Sequence, residues 1–298
     1  MTTSAEHRAG FVALVGRPNV GKSTLLNGAL GRKLAIVTPK PQTTRHRILG
    51  IVTRPEAQLL FVDTPGIHRP QNLLAERMVK VARDSLADAD VALWVLDAAA
   101  GCTADDEALA KELAASGRPV VVALNKLDLV PRAALLVLAD RVGALLPERH
   151  VVPISASTGA NLPELLATVV RELPVSPPLY PADAETDLPE RFFAAELVRE
   201  QLLLATHEEV PYQSAVRIDD FTEREGKNLL VIDAQIVVAR PSQRAIVIGE
   251  KGARLKAIGQ AARAGLERFF GTRIYLNLHV KVDPKWFVRE RALVDLGL

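Results

Sequence analysis

Eight consecutive residues constrain this chain more than any others: Gly16-Arg17-Pro18-Asn19-Val20-Gly21-Lys22-Ser23, preceded by the apolar run 11–15 and followed by Thr24-Leu25-Leu26. A strand, a glycine-bearing loop and a helix start in that order are what the phosphate-loop pattern requires. Such a loop turns backbone N–H groups and the positive end of a helix toward phosphate oxygens. Lys22 then reaches the β and γ oxygens, and the Ser23 hydroxyl suits Mg²⁺. The apolar flanks argue against a chance match in a glycine-rich loop, so a nucleoside triphosphate site is expected.

The base is indicated farther along, where the apolar run 120–124 ends in Asn125-Lys126-Leu127-Asp128. A carboxylate placed like Asp128 accepts the N1 and N2 protons of guanine. Adenine offers an acceptor at N1 and no 2-amino group, and would leave that carboxylate unpaired. Asn125 can brace the loop and the Lys126 stem can lie over the ring. Between these motifs, the apolar run 59–62 ends in Asp63-Thr64-Pro65-Gly66, where Asp63 suits Mg²⁺ through water and the Gly66 N–H suits a γ-phosphate. Ser155-Ala156, after the apolar residues 151–154, fit a loop closing over the base. Each short motif alone is weak, because acidic and amide residues also cap helices and turns. Four in this order, each ending an apolar strand, point to GTP and GDP.

From residue 9 to 173 the runs 11–15, 59–62, 91–96, 120–124 and 151–154 alternate with helical patterns such as 73–89 and 133–146. This predicts an α/β, doubly wound, mainly parallel sheet with helices on both faces, and its ligands lie at strand C-terminal ends. Four prolines in 174–181 read as a stiff connector, giving domains at 1–173 and 190–298 joined by a proline-rich linker at 174–189. Beyond it, helices are expected at 191–206, 253–270 and around 286–296, and strands at 214–221, 229–239 and 274–282. Residues 241–248 have strand propensity but are assigned as a helix, with Ser242 as its cap. Trp94 and Trp286 are read as packing residues.

With 298 residues, 48% hydrophobic and 24% charged, the chain can fill two cores. No apolar run approaches the ~20 residues of a bilayer crossing, and residues 1–8 lack a signal segment, so a cytoplasmic protein is expected. A single cysteine, Cys102, excludes an internal disulfide or a cysteine zinc site. The net charge of +2 conceals a polarity: residues 180–235 hold 5 basic and 13 acidic side chains, and residues 236–291 hold 12 and 4. The basic segment is the expected nucleic-acid side.

These motifs resemble the translation-factor-related GTPases, and Lys40-Pro41-Gln42-Thr43-Thr44-Arg45-His46-Arg47 resembles the first switch of the Era GTPases. The resemblance spans 9–298 and implies a C-terminal α+β domain of the type II KH kind, its Gly-x-x-Gly loop being Gly249-Glu250-Lys251-Gly252. It implies RNA contacts from Ile248, Gly249, Glu250, Lys251, Gly252, Arg254, Leu255 and Lys256, with Ile248, Leu255 and Ile258 as an apolar floor or as helix core. It further implies binding to the 3′ end of 16S ribosomal RNA, assistance to 30S subunit assembly, and a monomer. Peripheral association with the inner face of the cell membrane, with RNA incidental, and an RNA scaffold with a vestigial nucleotide site are the competing readings. Thr44, or alternatively Thr43, closes onto Mg²⁺, so Lys22, Thr44 and Gly66 are the catalytic candidates. Ile67 follows Gly66 where a glutamine would orient water, which implies slow turnover. Asn19 is either a K⁺ ligand or a turn residue.

Overall fold

The computed structural model describes residues 6–67, 73–224, 226, 228–284 and 286. The expected helix around 286–296 lies largely outside them. The chain divides into two compact units, one of Met1–Ala35, Thr44–Gln71 and Ala75–Asp187, the other of Ile36–Thr43, Asn72–Leu74 and Leu188–Leu298.

The first unit is built on a six-stranded sheet in the order β2-β3-β1-β4-β5-β6, comprising β1 (Arg8–Val15), β2 (Ile48–Thr53), β3 (Ala57–Asp63), β4 (Val91–Asp97), β5 (Val120–Asn125) and β6 (His150–Pro153). All neighbours are parallel except β2, which runs antiparallel to β3 at the edge. Every residue of β3 and β5 is buried, which accounts for their unalternating apolar sequences: both faces of an internal parallel strand are covered. Helices α1 (Lys22–Leu30), α2 (Leu73–Asp88), α3 (Ala104–Ala115), α4 (Arg132–Leu145) and α5 (Leu162–Glu172) alternate with the strands. In α5 the buried Leu162, Leu165, Leu166 and Val169 recur at helical spacing. Trp94 is fully buried in the core with Leu109, Leu113 and Val142.

The proline-rich stretch does not act as a free connector, since residues up to Asp187 belong to the first unit. Proline removes N–H groups but leaves carbonyls free to accept. Ala9 N donates to Pro174 O at 3.2 Å, Ser176 N to His7 O at 3.0 Å, and Gln58 Nε2 to Tyr180 O at 2.9 Å. Tyr180 and Ala184 also pack against Leu49, Ile51, Leu60 and Val62.

The second unit has the order α6 (Glu190–Ala205), β7 (Ser214–Arg224), β8 (Leu229–Val238), α7 (Pro241–Ile248), α8 (Ala253–Phe270), β9 (Arg273–Val282). Its sheet runs β7-β8-β9, with β8 antiparallel to β7 and parallel to β9. Ile258, Ala262 and Leu266 form the buried stripe of α8 and meet Ile232, Ala234 and Ile236 of β8. Truncating one of the larger members to alanine costs about 2–5 kcal/mol. Residues 241–248 are helical despite their strand propensity, but Ser242 is not the cap. Arg240 holds that position, and Gln243 Oε1 accepts from the N–H groups of Ala239 and Arg240, at 3.0 Å each. Trp286 is buried, as expected of a packing residue. Within this unit the segment Ile36–Thr43 lies along α6: Val37 N donates to Glu200, the Lys40 ammonium to the carbonyls of Leu203 and Thr206, and Arg199 to Thr43 O. Arg199 is itself buried and paired with Glu196 at 2.6 Å.

Candidate nucleotide site and nucleic-acid interface

In the first unit, β1 delivers the loop 16–21 to the start of α1. Lys22 is buried, and its Nζ donates to the carbonyls of Gly16 and Arg17 at 3.0 Å each. Burial lowers its pKa to about 8, opposed by the charge of Asp63. Asp63, at the end of β3, is also fully buried; burial raises its pKa to about 6, opposed by Lys22 and by hydrogen bonds from Ser23 and Thr64. Ser23 Oγ donates to Asp63 Oδ2 at 2.6 Å and lies 2.8 Å from Thr44 Oγ1. Three oxygen donors thus converge. Asp63 Oδ1 is buried and makes no hydrogen bond among the described residues. A divalent cation held by hard oxygen ligands fits this donor set, because it would satisfy the otherwise orphaned oxygen.

Thr44 rather than Thr43 meets Ser23. The Thr43 hydroxyl contacts Thr38 Oγ1 at 2.6 Å and donates to Lys40 O at 2.7 Å. Thr64 is used internally, its hydroxyl donating to Leu14 O at 2.9 Å. Gly66 has a steric requirement, since a Cβ there would lie 2.5 Å from Pro18 N. Ile67 N donates to Gly16 O at 3.3 Å, while its side chain packs against the core cluster around Trp94.

Asn125 joins the phosphate loop to the base loops. Its Nδ2 donates to Val20 O at 2.8 Å, and its Oδ1 accepts from Ala156 N at 2.9 Å. Lys126 takes a left-handed backbone (φ 68). Its Nζ donates to Asn19 O at 3.1 Å and to Asp97 Oδ2 at 2.6 Å. Leu127 N donates to Ile154 O, and Asp128 is exposed at the resulting loop. Ser155 is buried, and its hydroxyl accepts from Thr158 N at 3.3 Å. Asn19 is exposed with φ 63, as a turn asparagine would be.

Two supporting carboxylates escaped the sequence reading. Asp97 ends β4 and holds Lys126. Asp106, buried in the first turn of α3, pairs with Arg17 at 2.8 Å while accepting from Thr103 N and Oγ1. Their common signal is position: each closes a β4 or α3 terminus near the phosphate loop, but no spacing in the sequence names a partner.

In the second unit, Gly249 joins α7 to the turn Glu250–Gly252, and α8 follows. Gly249 has φ 71, and a Cβ on it would approach Arg254 Cβ to 2.8 Å. A groove of about 400 Å³ runs between α8 and β9, lined by Gly252, Leu255, Lys256 and Gly259, by Gln260 and Arg263 a turn on, and by Leu276 and Leu278 from the strand. Of the expected RNA contacts it therefore contains Gly252, Leu255 and Lys256. Ile248, Gly249, Glu250, Lys251 and Arg254 do not line it, and the Arg254 guanidinium donates to Ile246 O. Ile258 is 1% exposed and belongs to the core, so it is not the groove floor.

A family model described as 50S ribosome-binding GTPase matches residues 11–126, and a KH domain model matches residues 209–287. GTPase Era of Syntrophus aciditrophicus is 47% identical over 290 residues, covering 97% of this chain and 95% of that protein. GTPase Era of Geobacter metallireducens is 45% identical over 293 residues, covering 97% of each. The chain belongs to the Era GTPase family. Two solved Era structures superpose with a TM-score of 0.94 at 45% identity: Aquifex aeolicus Era, as an alanine variant bound to GDP·AlF4⁻ (97% of this chain, 99% of that one), and Era in complex with MgGDPNP and nucleotides 1506–1542 of 16S ribosomal RNA (98% and 99%). The doubly wound GTPase unit followed by a KH domain is thus the Era architecture, and GTPase activity comes with it.

Among the described residues no helix is long and apolar enough to cross a membrane.

Proposed function

We propose that this chain is a GTP-hydrolysing switch that binds the 3′ region of 16S ribosomal RNA and assists assembly of the small ribosomal subunit. The observation that carries the switch is the convergence of Ser23 Oγ, Thr44 Oγ1 and the buried Asp63 carboxylate beside Lys22. Mg²⁺ would be held by Ser23 and Thr44, and through water by Asp63, and would neutralise charge on the β and γ oxygens. Lys22 supplies a fixed cation to those oxygens from a desolvated position, where its field is strong. Gly66 would present its N–H to the γ-phosphate, and Thr44, already placed 2.8 Å from Ser23 Oγ, would close over the cation beside that phosphate, so that loss of the phosphate would loosen the segment leading into Thr44. Asp128 reads guanine, Asn125 fixes the loop that bears it, and the Ser155–Ala156 backbone closes over the ring.

Ile67 packs into the core and cannot orient water, which is consistent with slow intrinsic turnover. Asn19 remains a candidate ligand for K⁺. The relative's RNA, nucleotides 1506–1542, motivates the RNA assignment. The groove between α8 and β9 supplies the chemistry: apolar walls for unstacked bases and Lys256, Arg263 and Gln260 for phosphates and base edges. The Gly249–Gly252 loop lets a sugar-phosphate backbone approach closely.

The test is a gel-shift titration with RNA 1506–1542 and a scrambled RNA of equal length, alongside GTP hydrolysis. Preference for the ordered sequence together with Mg²⁺-dependent release of phosphate is expected. Equal affinity for the two RNAs would refute sequence-specific recognition, and absent hydrolysis would refute the switch.

A further inference from the structure

The same strand that walls the groove carries a second row of side chains on its other face. Leu276 and Leu278 point toward α8, so Arg273, Tyr275, Asn277, His279 and Lys281 alternate with them onto the opposite side of the sheet. Arg273, Tyr275, His279 and Lys281 are all exposed, Tyr275 to 60%. None of the four makes a side-chain hydrogen bond or ion pair among the described residues. An exposed tyrosine between cations has no packing function to explain it.

The surroundings of this row define a flat strip. Tyr275 pairs across the sheet with Val231, and Val231 with Thr222, giving a low shelf beside the ring. Asn277 stands opposite Asp233, and Asp233 opposite Asp220, so negative charge lies toward β7. Arg217, also on that side, is neutralised by Asp219 at 2.7 Å. Along β9, Arg273, His279 and Lys281 are without an ion pair among the described residues, over eight residue steps or about 26 Å of strand, and Arg224 stands in the same cross-strand row as Arg273 at its N-terminal end.

We infer that this outer margin of β9 is a second RNA-contact strip, taking single-stranded RNA beyond the nucleotides held in the groove, with one base stacked on Tyr275 and phosphates along Arg273 and Lys281. The inference rests on the RNA reading given above. A KH loop clamps about four nucleotides, whereas the RNA bound by the Era relative is numbered from 1506 to 1542, far more than one groove accommodates. Charge complementarity and continuity with the groove through a single strand favour RNA as the occupant. An aromatic face between cations is also the arrangement used for sequence-tolerant single strands.

The test uses the full chain and RNA 1506–1542, with affinity measured from low to high salt for wild type, Tyr275→Ala, Tyr275→Phe and the pair Arg273→Ala with Lys281→Ala. Tyr275→Ala is expected to weaken binding by about 5- to 150-fold, and Tyr275→Phe to restore most of it, because stacking needs the ring and not the hydroxyl. The double variant should flatten the log–log salt slope by about 1.4, two contacts at ~0.7 each. All variants should keep wild-type GTP hydrolysis and melting temperature, because the positions are exposed and distant in sequence from the nucleotide motifs. Affinities within twofold of wild type with an unchanged slope, or a phenylalanine variant as weak as the alanine one, would overturn the strip while leaving the groove in place. A wild-type chain that does not bind this RNA at all would overturn both.

Discussion

The nucleotide site and the proposed RNA groove handle charge in opposite ways. In the first, Lys22 and Asp63 are fully buried, and their neighbours Ser23, Asn125, Arg17 and Lys126 are engaged with Asp63, Val20 O, Asp106 and Asp97. In the second, Lys256, Arg263 and Gln260 stand exposed around an open apolar floor, with Arg263 paired to Glu267 of its own helix at 3.2 Å. A site that must stabilise charge on a reacting phosphate needs donors fixed before the reaction, since reorganisation would consume the gain. A site that binds a flexible polyanion gains from counterion release and tolerates mobile cations. Substitutions in the first should therefore act steeply and locally, and those in the second gradually and with salt dependence.

The largest effect is expected for Lys22→Ala. It removes the ammonium nearest the β and γ oxygens and should lower single-turnover hydrolysis by about 10²–10³-fold. Loss of the Lys22 charge also removes the largest of the interactions that oppose the upward shift of Asp63, leaving those of Ser23 and Thr64, so the carboxylate should titrate higher still. A rate within tenfold of wild type would place the catalytic charge elsewhere. Next comes Asp128→Asn, expected to cut guanine nucleotide affinity by about 10²-fold and to raise that for xanthine nucleotide, whose 2-oxo group accepts from the new amide. Competition among GTP, XTP and ATP reads this directly, and retention of GTP preference would deny Asp128 its role.

Smaller effects sharpen the contrast. Gly249→Ala introduces a Cβ 2.8 Å from Arg254 Cβ at φ 71, whereas Gly252→Ala at φ 82 meets nothing within 4 Å. Gly252 (ψ 7) carries the left-handed cost of about 1–2 kcal/mol, whereas Gly249 (ψ 179) lies in a region essentially restricted to glycine, costing about 1–3 kcal/mol, and only Gly249→Ala adds a clash. Thermal melts should rank Gly249→Ala below Gly252→Ala, and equal midpoints would show that the loop shifts freely. The smallest effect concerns Asn19. If it holds K⁺, hydrolysis should be several-fold faster in potassium than in sodium at equal ionic strength, and Asn19→Ala should remove the difference. Equal rates in the two salts leave Asn19 as a turn residue.

Residues whose motif fixes a backbone shape were legible in the sequence. The loop 16–23, the 63–66 turn and the 125–128 quartet each end an apolar strand, and sheet topology brings strand ends together whatever the loops do. The helix at 253–270 was equally plain, with glycine at both ends and apolar residues at helical spacing. Contacts set by register between distant elements were not legible. Asp106 meets Arg17 across 89 residues, and Asp97 meets Lys126 across 29. Leu276 and Leu278 enter the groove because the β8–β9 pairing turns the even-numbered residues of β9 toward α8. The edge strand β2 went unread because Ile48–Thr53 is short and lies directly after the switch-like segment. The prolines of 174–181 signalled a break in helix but gave no sign of which carbonyls they would offer to the first unit.

On the proposed reading, nucleotide chemistry and RNA engagement reside in separate sets of residues, one in each unit. The most direct measurement is a titration of labelled RNA 1506–1542 against wild type and the double variant Glu250→Asp, Lys251→Asp, with GTP hydrolysis without RNA measured on the same samples. The variant places two carboxylates in the Gly249–Gly252 turn, where the RNA backbone would pass, and leaves the glycines intact. RNA affinity should fall by at least about tenfold, since loss of the Lys251 cation is compounded by repulsion from the carboxylate that replaces it, while hydrolysis stays at the wild-type rate. Unchanged RNA affinity, or hydrolysis lost in step with RNA binding, would contradict the claim.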